Sequence, residues 1–231
     1  MSAVQLPLEL GHRPAQGRDD FLVAPCNAAS VAWIDRWPDW PGHALALFGP
    51  AGAGKSHLVH VFAGRSAARV IAPAELSPAR VPELLGEARA WAIDGADAGV
   101  DERALLHVIN LANERGGHLL LTGRIAPARW PIALPDLASR LAAMPAIAIE
   151  PPDDAVLAAV MVKLFADRQL AVGTEVVAYL VSRIDRSFAT ARAVVDHLDR
   201  LALAEQRAIT VPLVRRVVAE FGRQNGQIPL L

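Results

Sequence analysis

The sequence has almost no cysteine: Cys26 stands alone among 231 residues, so no intramolecular disulfide can form and no thiolate-rich metal site can be assembled. It has no excess of charge of either sign. Against 24 Asp and Glu there are 23 Lys and Arg, and the net charge of -1 with a pI near 6.7 leaves no global electrostatic footprint for nucleic acid. No apolar stretch reaches the roughly 18 residues that span a bilayer, and the start lacks a basic region followed by an apolar run. There is no internal repeat, low-complexity tract or long charge run. These absences leave the expectation of a folded cytoplasmic protein with no membrane partner. At 53% hydrophobic residues, the chain can bury the core of one large domain, or of one domain and a small companion.

What is there begins with Gly49-Pro50-Ala51-Gly52-Ala53-Gly54-Lys55-Ser56, preceded by the apolar run Ala44-Leu45-Ala46-Leu47-Phe48 and followed by His57-Leu58-Val59. It reads as strand, loop, helix. Glycines at this spacing let successive N–H groups converge where a helix N-terminus adds partial positive charge, which makes a polyphosphate cradle. Lys55 is then placed to reach the β- and γ-phosphates, and the Ser56 hydroxyl to ligate Mg²⁺. The competing reading, a glycine-rich turn with an isolated lysine, has the flanking strand and helix against it.

Along the rest of the chain, Asn27 can cap a helix over 27–37, and the phosphate-loop helix should end near Gly64. A strand at 69–72 precedes a helix reaching Glu87. A buried strand, 90–93, ends on Asp94; a helix over 101–113 is closed by Gly116-Gly117. Strands at 118–122 and 146–149 flank a helix around 137–142. This alternation predicts an α/β domain over 21–150, a five-stranded, mostly parallel sheet with helices on both faces. Beyond Pro151-Pro152 the pattern is helical only, at 153–169, 174–184, 187–204 and 211–221, so 151–231 should be a small helical bundle. Residues 1–20 read as a short peptide on a tether.

The Mg²⁺ ion of such a loop needs a carboxylate at the end of a neighbouring strand, acting through water, and Asp94 is the candidate. An efficient hydrolase places a second acid next; here the next residue is Gly95. Asp97 lies three positions on, so weak intrinsic turnover is expected unless Asp97 or another group substitutes. Thr122 either contacts the γ-phosphate or the attacking water, or merely ends its strand. The single histidines at 57, 60, 107, 118 and 197 show no metal-ligand pairing, and Trp33, Trp37 and Trp40 are expected to pack.

The order of phosphate loop, strand-end Asp, strand-end Thr and helical companion resembles the AAA+ P-loop NTPases, within them the DnaA-related proteins and most of all the Hda family, regulators that inactivate the replication initiator DnaA. The resemblance runs from about Phe21 to Phe221. Its markers are Phe21-Leu22-Val23-Ala24-Pro25-Cys26-Asn27, Gly49 to Leu58, Trp91 to Asp97, Leu119 to Arg124, Leu137-Ala138-Ser139-Arg140-Leu141 and Asp185-Arg186-Ser187. The resemblance implies that Arg140 is an arginine finger acting in trans, against the alternative of a surface Arg pairing with Asp136 or Glu150. It implies that Arg186 is the sensor arginine on the nucleotide bound in cis, with Arg183 and Arg192 as competitors, and that the helical part is a lid. Phe21, Leu22 and Val23 would border the adenine, and His57 closes the loop's nucleotide-binding set.

Two departures from the initiator direct the functional expectation. The sequence ends at Leu231, about ten residues past its last expected helix, so a sequence-specific DNA-binding domain is not expected. At the front, Gln5-Leu6-Pro7-Leu8-Glu9-Leu10 resembles the peptide by which replication proteins dock on the β sliding clamp, the DNA polymerase III β subunit. Gln5 would hydrogen-bond a pocket rim while Leu6, Leu8 and Leu10 anchor, the alternative being an added edge strand. The 227–231 tail is a poorer match. The resemblance thus implies an ADP- or ATP-carrying, Mg²⁺-dependent adaptor that touches DNA only through the clamp, forms homo-oligomers if it follows AAA+ habit, and triggers ATP hydrolysis in DnaA. The rival expectations are a self-contained ATPase or helicase-loader-like protein, and a scaffolding clamp binder with a degenerate pocket.

Overall fold

Each of the five strands is short, and the two faces of the central ones are buried in alternation. We describe the protein from a computed structural model, which describes residues 22–205 and 207–224. The strands are β1 (Ala44–Phe48), β2 (Arg69–Ile71), β3 (Ala90–Ile93), β4 (His118–Gly123) and β5 (Ala146–Ala148). They lie in the order β2-β3-β4-β1-β5, and every pairing is parallel. Trp91, Ile93, Leu119 and Leu121 enter one apolar cluster, with helices α3 (Val81–Leu85), α4 (Glu102–Glu114) and α5 (Pro135–Ala143) against it. The intervening Ala90, Ala92 and Leu120, with Leu45 and Leu47, enter the other, covered by α1 (Ala28–Asp35) and α2 (Lys55–Ser66). Period-2 alternation with both faces apolar is what a parallel sheet between helical layers requires. Trp33, Trp37 and Trp40 pack with the second cluster.

The chain separates into two units, and among the described residues one ends at Pro152 and the other starts at Asp153. The second unit is all helical, with α6 (Asp154–Asp167), α7 (Thr174–Val181), α8 (Phe188–Glu205) and α9 (Val211–Gln224) around Leu157, Met161, Phe165, Leu180, Val194 and Val217. The Asp153 carboxylate caps α6 by accepting the Val156 N–H at 2.8 Å. None of the described helices is long and apolar enough to cross a membrane.

Two local expectations are corrected, and a third, the end of α2, is met to within two residues. Asn27 does not cap α1 with its side chain. It turns back, accepting the Ala24 N–H at 2.9 Å and donating to the Leu22 carbonyl at 3.0 Å. Helix α2 ends close to the expected Gly64, at Ser66, whose hydroxyl returns a bond to the Phe62 carbonyl at 2.6 Å. The segment before Glu87 is not one helix but a 3-10 turn, Pro73–Glu75, and the five-residue α3. Pro73 and Pro82 each withhold an amide donor, and both sit where a new helical turn begins.

Candidate functional site

The site forms where β1 runs out. Its neighbours β4 and β5 are remote in sequence on opposite sides, so the order of the sheet reverses at β1, the position where open α/β sheets leave a crevice at the strand ends. The loop starts against the sheet: the Gly49 N–H donates to the Gly123 carbonyl at 3.2 Å, and a Cβ on Gly49 would lie 2.2 Å from the Ile149 carbonyl oxygen. Gly52 and Gly54 take positive φ of 74° and 102°, which admits glycine at low cost. Gly54 opens α2 with no side-chain cap. Among the described residues, no backbone acceptor takes the N–H of Gly52, Gly54, Lys55 or Ser56. Pro50, Ala51 and Ser56 are exposed, Ala53 is buried, and His57 is half-buried in the first turn of α2.

The Lys55 ammonium folds over this loop, donating to the Gly49 carbonyl at 2.7 Å and the Pro50 carbonyl at 2.8 Å. Burial pushes its pKa below the usual lysine range, while Asp94 and Asp97 draw it back up and Arg124 adds a repulsive push. The donor set fits a phosphate chain: unpaired amides at a helix start, one ammonium and a hydroxyl. The described residues include no group of three or more His, Cys, Asp or Glu able to hold a metal. Mg²⁺ keeps water and takes few protein oxygens. Ser56 and Asp94 are the oxygens available to it here.

Sheet register decides how Asp94 is held. Ile93 pairs with Leu121, so Asp94 falls beside Thr122. The fully buried Thr122 hydroxyl donates to Asp94 Oδ1 at 2.5 Å and accepts the Gly95 N–H at 2.8 Å. Both of its hydrogen-bonding roles are thereby taken within the protein. Asp97 is tied as well, its Oδ2 accepting the Arg124 N–H at 2.6 Å. Neither contact was legible in the sequence; the cue for Arg124 was its place two residues beyond Thr122.

Leu22 and Val23 present exposed apolar side chains on the segment that Asn27 holds. Phe21, the peptide residues Gln5, Leu6, Pro7, Leu8 and Leu10, and the 227–231 tail lie outside the described residues. In the helical unit, Arg186 grips Asp154 with both arms, Nε to Oδ1 at 2.8 Å and a terminal nitrogen to Oδ2 at 3.0 Å.

Arg140 sits elsewhere. Near the end of α5, it lines a groove with His43, Ala44, Leu119, Met144 and Pro145, at the starting ends of β1, β4 and β5. The phosphate loop leaves from the other ends. At about 3.3 Å per residue, the five residues of β1 put roughly 16 Å between the two positions. Arg140 is exposed and, among the described residues, forms no ion pair with Asp136 or Glu150.

Residues 154–218 match the family model for the lid domain of Hda. Domain III of the replication initiation protein DnaA from Thermotoga maritima is similar over 90% of this chain and 97% of its own, with a TM-score of 0.76 and 18% identity. AMPPCP-bound DnaA from Aquifex aeolicus follows with a TM-score of 0.69 and 16% identity over 83% of this chain and 67% of its own. The RuvB Holliday junction branch migration motor of Thermotoga maritima gives a TM-score of 0.63 and 16% identity over 85% and 66%. At these identities the likenesses show the fold alone, a five-stranded parallel sheet between helical layers in one unit and a helical second unit.

Proposed function

We propose that this chain, a DnaA- and Hda-related AAA+ protein, holds an adenine nucleotide in the loop Gly49–Ser56 and offers Arg140 to ATP bound by a DnaA protomer, promoting hydrolysis there and so restraining the start of replication. One observation carries the reading: Arg140 stands a full strand length from the chain's own phosphate loop, exposed and, among the described residues, without a carboxylate partner. An arginine so placed cannot serve the triphosphate of its own chain. A guanidinium presented in trans can meet developing phosphate charge with two donors and is worth about 10³ to 10⁵ in rate.

The chain's own site favours holding a nucleotide over spending it. Lys55, Ser56 and the loop amides would bind the phosphates, Asp94 would hold Mg²⁺ through water, and Mg²⁺ would neutralise phosphate charge. No second acid follows Asp94, where Gly95 stands, and Asp97 is turned to the Arg124 amide through one of its oxygens. Arg186 would contact the bound nucleotide on leaving Asp154, and Val23 would border the base. Residues 5–10 would dock on the β sliding clamp and thereby bring the protein to DNA indirectly.

The test measures ATP hydrolysis by DnaA with DNA-loaded clamp and this protein present. Wild type should accelerate it; Arg140→Ala should lose roughly 10³-fold of that acceleration while unfolding at the wild-type temperature. Stimulation by Arg140→Ala equal to wild type would remove the assignment. Brisk ATP turnover by the isolated chain would instead support the self-contained ATPase.

A further inference from the structure

Helix α4 begins with a carboxylate that it does not need for itself. Its N-cap is Asp101, whose Oδ1 accepts the Ala104 N–H at 2.8 Å, so the side chain of the next residue, Glu102, is left over. Half-buried, Glu102 reaches to the segment that leads into α5. There it accepts the Ala133 N–H with both oxygens, at 2.9 and 3.1 Å, and the Leu134 N–H with Oε2 at 2.7 Å.

Helix α5 has no means of fixing that end by itself. Its N-cap, Leu134, has no side-chain oxygen to offer, its first residue is Pro135, and its third, Leu137, is buried and apolar where a Glu or Gln would bond back to the N-cap amide. Glu102 supplies that bond from another helix, where the partial positive charge at the start of both helices favours a carboxylate. With nine residues, α5 is also too short to be stable alone, so its contacts decide its placement. Leu137 and Leu141 set the side that faces the core, and Glu102 sets where the helix starts. Arg140 follows on the same helix, roughly 9 Å along the axis from Leu134.

We propose that Glu102 is a positioning residue for Arg140: by holding the start of α5, it sets where the guanidinium is presented to the triphosphate of a DnaA protomer. This rests on the reading that Arg140 acts in trans. Displacing a reacting group by about 1 Å costs on the order of 10²-fold in rate. Glu102 uses its carboxylate inside the chain, so its loss should lower the rate of hydrolysis and not the affinity for the partner.

The test measures ATP hydrolysis by DnaA with DNA-loaded clamp against the concentration of wild type, Glu102→Ala, Glu102→Gln and Arg140→Ala, alongside thermal unfolding. Glu102→Ala should lower the maximal stimulated rate about tenfold to a hundredfold, with the half-saturating concentration within about twofold of wild type. Glu102→Gln keeps an oxygen that can accept the Ala133 and Leu134 N–H groups, so its maximal rate should stay within about threefold of wild type. Glu102→Asp, one methylene too short for both amides, takes the place of Ala if Ala does not fold. A role confined to stability gives the opposite pattern, because partial unfolding raises the half-saturating concentration and leaves the maximal rate. That pattern, a wild-type maximal rate in Glu102→Ala, or a Gln variant as slow as Ala would overturn the proposal, provided Arg140→Ala loses the stimulation. If Arg140→Ala stimulated like wild type, or wild type did not stimulate, the reading of Arg140 would fail, and Glu102 with it.

Discussion

Thr122→Val is the sharpest test of how the site is built, because it changes one hydroxyl to a methyl at nearly constant volume. The hydroxyl is fully buried and spans two groups, donating to Asp94 Oδ1 and accepting the Gly95 N–H. A hydrogen bond to a charged partner contributes about 1.5–3 kcal/mol and a neutral one about 1 kcal/mol. Asp94 and Gly95 are only half-buried, so water recovers part of each, and a net cost of about 2 kcal/mol is expected. For a chain of this length that lowers the melting temperature by roughly 4–8 °C. Thr122→Ser keeps the hydroxyl and loses one methyl, at about 1 kcal/mol. The order of stability should therefore be wild type, Ser, Val, read by thermal denaturation without nucleotide. Affinity for Mg²⁺ in the presence of nucleotide should fall roughly tenfold in Val, since Asp94 loses the group that orients it, and little in Ser. A Val variant as stable as wild type, or more stable than Ser, would refute the account of Thr122 as the holder of Asp94.

Two further outcomes follow. Gly49→Ala would drive a methyl into the Ile149 carbonyl, forcing apart the contact in which the Ile149 N–H donates to Phe48 at 2.7 Å; a loss of about 2–4 kcal/mol is expected, with nucleotide binding abolished, and wild-type melting behaviour would contradict it. His118 is held below its ordinary pKa of 6.5, chiefly by burial and further by His43, against a pull from the Pro38 carbonyl. The unfolded chain therefore takes up the proton first, so stability should fall as pH drops through 6.5 and below. Melting temperatures measured across that range should show a shallower slope for His118→Asn than for wild type.

Much of the fold was legible because the buried strands are short apolar runs cut off by Gly, Pro or Asp, and α4 shows Leu105, Val108, Ile109 and Ala112 on one face. Strand order was not, since local periodicity carries no information on which runs pair. The loop residues 49–56 could be read by type and spacing, and Asp94 from its strand end. What the spacing could not show was the use of hydrogen bonds. Thr122 has two uses for its hydroxyl and Asn27 two for its amide, and tertiary neighbours chose between them. Asp97 looked like a spare acid until its partner, remote in sequence, was seen to be the Arg124 amide.

The separation of Arg140 from Gly49 gives the α/β unit a polarity: under the proposed function, one end of the sheet would receive phosphate and the other would offer a guanidinium. Contacts that join unlike ends run head to tail, so they propagate along a row or close as a ring, and do not stop at a two-fold pair. A protomer added to such a row would occupy one end and leave the other open, so the direction of approach, as much as affinity, would decide which neighbour is served.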